Sequence, residues 1–242
     1  MNEELRESRE RFLAAARDFV PYVVAERDGL LFVVPTDDPT LGKLFVRSEK
    51  HKERAVLLRA LERLAGAGTE VPRGTFVDVG ANVGTAAFAA LQAGFRAVLA
   101  IEPVPSTFRL LRANLALNGA EEAVRALQLA ISDRSGTMRV DVAQGARKAR
   151  LAAEGTEEVA VARLDDVVQD EVDFVLLDAE GHEVHALAGR RDELPGLLAR
   201  HYTHVLDVRA RGAEFVPVQR VADLIEAYEG HSTDLLACRL TR

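Results

Sequence analysis

The chain has 242 residues, enough for one large domain or one domain with an appendage, and its 48% hydrophobic and 29% charged residues exclude a disordered or low-complexity polypeptide. A net charge of −7 gives no overall pull toward nucleic acid or an anionic membrane. The single cysteine, Cys238, excludes an internal disulfide framework and any zinc site built on two cysteines.

The opening residues mix acidic and basic side chains and lack the basic start and apolar run of a signal peptide. No stretch nears the about 18 consecutive apolar residues of a membrane span. The expected location is therefore the cytoplasm. A charged helix is predicted from Glu3 to Asp18, followed by strands Tyr22 to Ala25 and Leu30 to Val34 around Arg27-Asp28-Gly29. Asp-Gly between two β-rich runs signals a hairpin. A second helix, Lys52 to Ala65, carries Val56, Leu57, Leu61 and Leu64 at helical spacing and reads as core packing. Residues 1–73 are thus expected to form an appendage, and 74–242 the main domain.

From Thr75 the pattern alternates. Strands are predicted at Thr75 to Val79, Ala97 to Ile101, Val124 to Ile131, Val172 to Leu177 and His204 to Val208. Helices are predicted at Thr85 to Gln92, Thr107 to Leu117, Val184 to Ala188 and Val218 to Tyr228, the second closed by Asn118-Gly119 as a left-handed cap. Short apolar strands alternating with helices imply an α/β fold whose mostly parallel sheet is covered on both faces. Two further strand-like runs, Thr137 to Val142 and Val159 to Arg163, break the alternation. Between them lies a loop, Ala143 to Glu158, in which Arg147, Lys148 and Arg150 form either a solvated basic turn or a contact to an anionic substrate. Leu235 to Cys238 reads as a terminal strand, with Cys238 as a small apolar residue.

The segment richest in chemistry is Asp78-Val79-Gly80-Ala81-Asn82-Val83-Gly84, between a strand and a helix. In a doubly wound sheet this turn lies at the carboxyl edge, where ligands bind. Gly80 and Gly84 permit a tight turn and a close approach to a ligand. A dinucleotide fingerprint would place glycine at position 82, where this chain has Asn82, and Asp78 would sit badly beside a pyrophosphate. A carboxylate there suits a cationic ligand such as the methionine end of S-adenosylmethionine. Glu102 ends the next strand, where an acidic side chain accepts hydrogen bonds from a ribose diol, a position shared by NAD and S-adenosylmethionine binders. Ser132 and Asp133 follow the third strand, within reach of an adenine edge or serving only as a turn.

Taken with Ile101-Glu102-Pro103-Val104-Pro105, Asn114-Leu115-Ala116-Leu117-Asn118, Ala130-Ile131-Ser132-Asp133 and Asp178-Ala179-Glu180-Gly181-His182-Glu183, that loop resembles the motif series of FkbM-type methyltransferases, in order and approximate spacing. The likeness runs from about Gly74 to Gly189. It implies the class I, Rossmann-like, doubly wound methyltransferase fold, S-adenosyl-L-methionine as cofactor, and O-methylation of a hydroxylated small molecule, sugar or natural product. It also implies that Asp78, Gly80 and Asn82, with Gly84, hold the methionine portion, Glu102 the ribose, and Ser132 with Asp133 the adenine, while Asp178 faces the transferring methyl group. The family pattern Lys-Ile-Asp-Val-Glu-Gly departs here to Leu176-Leu177-Asp178-Ala179-Glu180-Gly181, without the lysine.

Methyl transfer to oxygen asks the protein to position the acceptor and to remove its proton. His182 has the suitable unperturbed pKa, and Asp178 or Glu180 would serve if burial raised theirs. His182-Glu183-Val184-His185 does not complete a zinc-protease motif, because Ala186 stands where the second histidine belongs. Asp178 and Asp207 each close a strand and form a weaker candidate pair for a divalent ion; no metal is expected. His201 and His204 read as a structural pair. The competing readings are a catalytically silent cofactor-binding scaffold and an NAD-dependent oxidoreductase. Neither nucleic acid nor membrane is an expected partner, and the oligomeric state has no signature in the sequence.

Overall fold

The computed structural model describes residues 3–38, 40–42, 45, 52–66, 72–142, 150–151, 154–168, 172–178, 204–207, 216–220 and 235–238. Helix α1 (Glu3–Ala16) leads into an antiparallel hairpin, β1 (Tyr22–Arg27) and β2 (Leu30–Pro35). Its loop residues Asp28 and Gly29 have φ of 50° and 78°, the positive pair that a type I′ turn requires. Helix α2 (Lys52–Gly66) buries Leu57, Ala60, Leu61 and Leu64, with Val56 at the half-buried margin of the stripe.

Strands and helices then alternate as the sequence predicts: β3 (Thr75–Val79), α3 (Thr85–Gln92), β4 (Ala97–Ile101), α4 (Pro105–Leu117) and β5 (Val124–Leu127). Helix α4 starts earlier than expected because Pro105 suits a first helical turn, where its missing N–H costs nothing. The chain continues through β6 (Ala130–Ile131), β7 (Gly136–Asp141), β8 (Arg150–Leu151), β9 (Glu157–Ala162), the single turn α5 (Leu164–Val167), β10 (Phe174–Leu177), β11 (His204–Asp207), β12 (Val216–Pro217), a 3₁₀ turn at Val218–Arg220, and β13 (Leu235–Cys238).

The main sheet has the order β12-β11-β13-β10-β3-β4-β5. Strands β3, β4, β5 and β10 are mutually parallel, and β11 shares their direction; β13, antiparallel to both β10 and β11, lies between them, and β12 runs antiparallel at the edge. Alternation along each strand splits its side chains between two cores. Phe76, Val98, Ala100 and Phe174 share one core with α2, α3, α4 and the hairpin. Val77, Val79, Leu99, Ile101, Val175, Leu177 and Val205 line the other. At the start of the strands Phe76 stacks on Phe174 with ring centroids 6.4 Å apart, and Phe95 meets both edge-on at 5.2 and 5.4 Å. Asp173 Oδ2 accepts the N–H groups of Gly74 (2.8 Å) and Thr75 (3.0 Å), pinning the start of β10 to that of β3.

Two further expectations change. The run Val124 to Ile131 is two strands: after Leu127 the chain leaves the main sheet, and β6 pairs with β9 in a second sheet of order β6-β9-β7-β8. Ile131 still packs on the second core, whereas Ala130 joins Val104, Val140, Val159 and Val161 in a third cluster. Demand for burial in two directions pulls this segment out of the sheet. The stretch expected to be helical from Val218 begins as a 3₁₀ turn, and its remainder, like Val184 to Ala188, lies outside the described residues. The strand expected at Leu235 to Cys238 forms with those bounds and lies inside the sheet, enclosed by β10 and β11.

Candidate functional site

From β3 the chain steps outward to β4 and β5, then returns on the other side of β3 at β10. The carboxyl ends of β3, β4 and β10 therefore surround the topological switch point, the place where open α/β sheets bind ligands. Gly80, Asn82 and Gly84 all have positive φ, 83°, 51° and 95°. Both the Gly80 and Ala81 N–H groups donate to the Ile101 carbonyl at 2.9 Å, and the Gly84 N–H donates to the Ala81 carbonyl at 2.8 Å. Asn82 thus takes up the left-handed conformation that a glycine would supply in a dinucleotide fingerprint, and its Oδ1 accepts the Val83 N–H at 2.9 Å.

The two glycines have an internal reason as well as a ligand-related one. A Cβ on Gly80 would stand 1.9 Å from the Asp178 carbonyl oxygen, so the ends of β3 and β10 touch through that missing atom. A Cβ on Gly84 would meet Leu111 at 2.9 Å and Phe88 at 3.3 Å.

Glu102 is 4% exposed, and both of its oxygens are engaged. Oε2 accepts the Asn82 N–H and Oε1 the Val104 N–H, each at 2.9 Å. Its carboxylate thereby joins the glycine turn to the loop that enters α4. Burial pushes its pKa up to about 7, against the opposing pull of the hydrogen bonds from Val104 and Asn82. An ionised carboxylate offers about four lone-pair sites, so two remain for a diol after these two backbone bonds. That acceptor set fits the ribose of an adenosyl cofactor.

Asp78, 1% exposed, lies in register with Ala100 on β4 and Leu176 on β10. Leu176 occupies the position of the family lysine, so an apolar residue neighbours the buried carboxylate along the sheet. Asp178 is half-buried, and its N–H donates to the Val79 carbonyl at 3.0 Å. Asp78, Gly80, Asn82, Gly84, Glu102 and Asp178 are therefore gathered at three adjoining strand ends. Ser132 is buried just after β6; its N–H donates to the Ala162 carbonyl (2.9 Å) and its Oγ to Asp133 Oδ1 (3.1 Å). The packing of Ala130 on Val104 holds this segment beside the loop that follows Glu102. Glu180, His182 and His185 lie outside the described residues, as do Arg147 and Lys148, while Arg150 opens β8.

Asp178 and Asp207 close strands that are not neighbours, because β13 lies between β10 and β11. Among the described residues no group of three or more His, Cys, Asp or Glu side chains is placed to hold a metal ion. One residue that the sequence placed in a motif has a task at the loop that the motif did not reveal. Asn114 on α4 is fully buried, and its Nδ2 donates to the Val83 carbonyl at 2.9 Å. Its signal was an amide on a helix face otherwise made of Leu110, Leu111 and Leu115.

A family model described as the methyltransferase FkbM domain matches residues 78–208, just over half of the chain. No curated protein matches the sequence. Among solved structures, Methanocaldococcus jannaschii Trm5 in complex with adenosine is 21% identical, with a TM-score of 0.32 over 45% of this chain and 29% of that one. A SAM-dependent methyltransferase from Agrobacterium tumefaciens is 18% identical, with a TM-score of 0.31 over 45% of this chain and 32% of that one. The chain thus spans about a third of each of these two proteins. M. jannaschii TYW2 in complex with AdoMet is 14% identical over 92% of this chain and 87% of that one, with a TM-score of 0.37.

Proposed function

The chain belongs to the FkbM methyltransferase family, whose methyl donor is S-adenosyl-L-methionine, and on that premise we propose that it methylates a hydroxyl group of a small molecule, sugar or natural product. The observation that carries the cofactor assignment is the buried Glu102 carboxylate, bonded to the glycine turn and to the α4 entry loop at the switch point. In this reading Glu102 receives the ribose diol, and Asp78, Gly80, Asn82 and Gly84 surround the methionine portion. Ser132 and Asp133 border the adenine. When bound, the cofactor supplies a methyl group activated by its sulfonium. Asp178, at the end of β10, faces that group, and His182, directly after the Asp178-Ala179-Glu180-Gly181 run, takes the acceptor proton, with Asp178 or Glu180 as the other candidate bases.

The net charge of −7 supports a small acceptor over a polyanion. The hairpin and α2 share a core with α3 and α4, and residues 1–73, to which they belong, are proposed to shape the acceptor pocket. A second reading, a silent cofactor-binding scaffold, draws support from Leu176 in register with Asp78.

The test is incubation with radiolabelled S-adenosylmethionine and a panel of hydroxylated acceptors, with RNA as a separate arm, alongside calorimetry with S-adenosylhomocysteine. Label in a hydroxylated product supports the proposal; label in RNA alone overturns the acceptor assignment. Tight binding without turnover across the panel selects the scaffold. His182→Ala should lower turnover while sparing cofactor affinity, and full activity in that variant removes His182 from the base role.

A further inference from the structure

Strand β2 pairs with β1 along one edge, and its other edge faces α4. There the side-chain amides of two asparagines take the place of a neighbouring strand. The Leu31 N–H donates to Asn118 Oδ1 at 2.9 Å, and Asn118 Nδ2 returns a bond to the Leu31 carbonyl at 2.7 Å. The Val33 N–H donates to Asn114 Oδ1 at 2.7 Å. The spacing explains the fit: two residues of strand advance about 6.6 Å and four residues of helix about 6 Å, so alternate strand residues meet a helical i, i+4 pair.

Asn114 connects this contact to the cofactor loop. Its Oδ1 receives the hairpin and its Nδ2 holds the Val83 carbonyl, all within a fully buried side chain. Asn118 Nδ2 also reaches the Asn114 carbonyl at 2.7 Å, one turn back along the helix. On its opposite side the same loop is held by Glu102 through the Asn82 N–H. The left-handed residues Asn82 and Gly84 flank Val83, so the peptide carrying that carbonyl sits between two conformationally demanding positions. Two grips therefore fix the loop, one from β4 and one that runs through Asn114 to the N-terminal hairpin.

We infer that Asn114 and Asn118 form a latch through which the N-terminal hairpin sets the conformation of the cofactor loop, with Asn114 and Asn118 as positioning residues. The inference rests on the reading of residues 80–84 as that loop. Its consequence is that cofactor affinity depends on hairpin docking, although no hairpin residue belongs to the cofactor site proposed above.

The experiment uses the full chain carrying Asn118→Ala, which removes the Leu31 contacts and the bond to the Asn114 carbonyl and touches neither the loop nor the proposed site. Amide hydrogen exchange at Leu31, Val33, Val83 and Gly84 is measured beside S-adenosylhomocysteine affinity. The latch predicts faster exchange at all four amides and affinity about 3- to 30-fold weaker, the usual range of such coupling. Faster exchange at Leu31 with Val83, Gly84 and affinity unchanged overturns it. Should Asn118→Ala not fold, Asn118→Asp keeps the acceptor for the Leu31 N–H, loses the donor, and is read on the same amides. Asn114→Asp separates the two halves: it keeps the acceptor for Val33 and loses the donor to Val83, so the loop amides should exchange faster while Val33 stays protected. If the wild-type chain binds no S-adenosylhomocysteine, the methyl-transfer proposal falls, and exchange at Val83 and Gly84 still decides the latch.

Discussion

Glu102 joins the glycine turn to the α4 entry loop from a buried position. Because burial holds its folded-state pKa at about 7, above the ordinary 4.5, the folded protein binds this proton more tightly than the unfolded chain. The resulting stabilisation is fully present below pH 4.5 and is lost as pH rises through 7, a change on the order of 3 kcal/mol. Glu102→Gln should abolish that pH-dependent component, which denaturant melts of both proteins between pH 4 and 8 will show as a difference curve; parallel curves would sink the assignment. Cofactor binding should run the other way. In the proposed role of Glu102 a ribose diol donates to the ionised carboxylate, so wild-type affinity for S-adenosylhomocysteine should increase as pH rises through 7, and the glutamine variant should lack that rise.

At the scale of elements, the glycine turn and the hairpin turn make an instructive pair. Gly80 and Gly29 both have positive φ, 83° and 78°, but a Cβ on Gly29 meets nothing within 4 Å, whereas one on Gly80 collides with the Asp178 carbonyl. Gly29→Ala should cost about 1 to 2 kcal/mol, the strain of a left-handed residue alone. Gly80→Ala adds displacement of β10 from β3 and should cost about 4 kcal/mol or more, with cofactor binding lost. Equal thermal shifts in the two variants would show that the β3 to β10 contact is unimportant. Much at this scale was legible in the sequence. The Asp-Gly hairpin and the bounds of β3, α3 and β4 follow from local apolar runs and turn residues. The division of Val124 to Ile131 was not, since every residue in it suits a strand and only the competing cores decide where the pairing changes.

For the whole molecule, the N-terminal segment and the sheet share a core. Phe32 of β2 is fully buried, 5.0 Å from the Phe45 ring and 5.5 Å, edge-on, from Phe88 of α3. Leu57, Leu61 and Leu64 of α2 join the same cluster. Phe32→Ala should therefore destabilise the full chain by about 3 to 5 kcal/mol in a single cooperative transition. A loss below about 1 kcal/mol, or a separate early transition for the N-terminal segment, would show instead that 1–73 folds as an independent unit.

The sequence carries the alternating α/β architecture, the family motifs and the residues at each strand end, because periodicity and turn chemistry are local properties. It also marked Asn114 and Asn118 as a motif, without their task. Tertiary structure alone decided that β13 lies between β10 and β11, which keeps Asp178 and Asp207 on strands that are not neighbours. It alone decided that Gly80 is required by a carbonyl from a strand nearly a hundred residues away, and that two asparagines serve as the missing edge of a hairpin. These are contacts between segments distant in the chain. Their energies arise from mutual fit, which no single stretch of residues encodes.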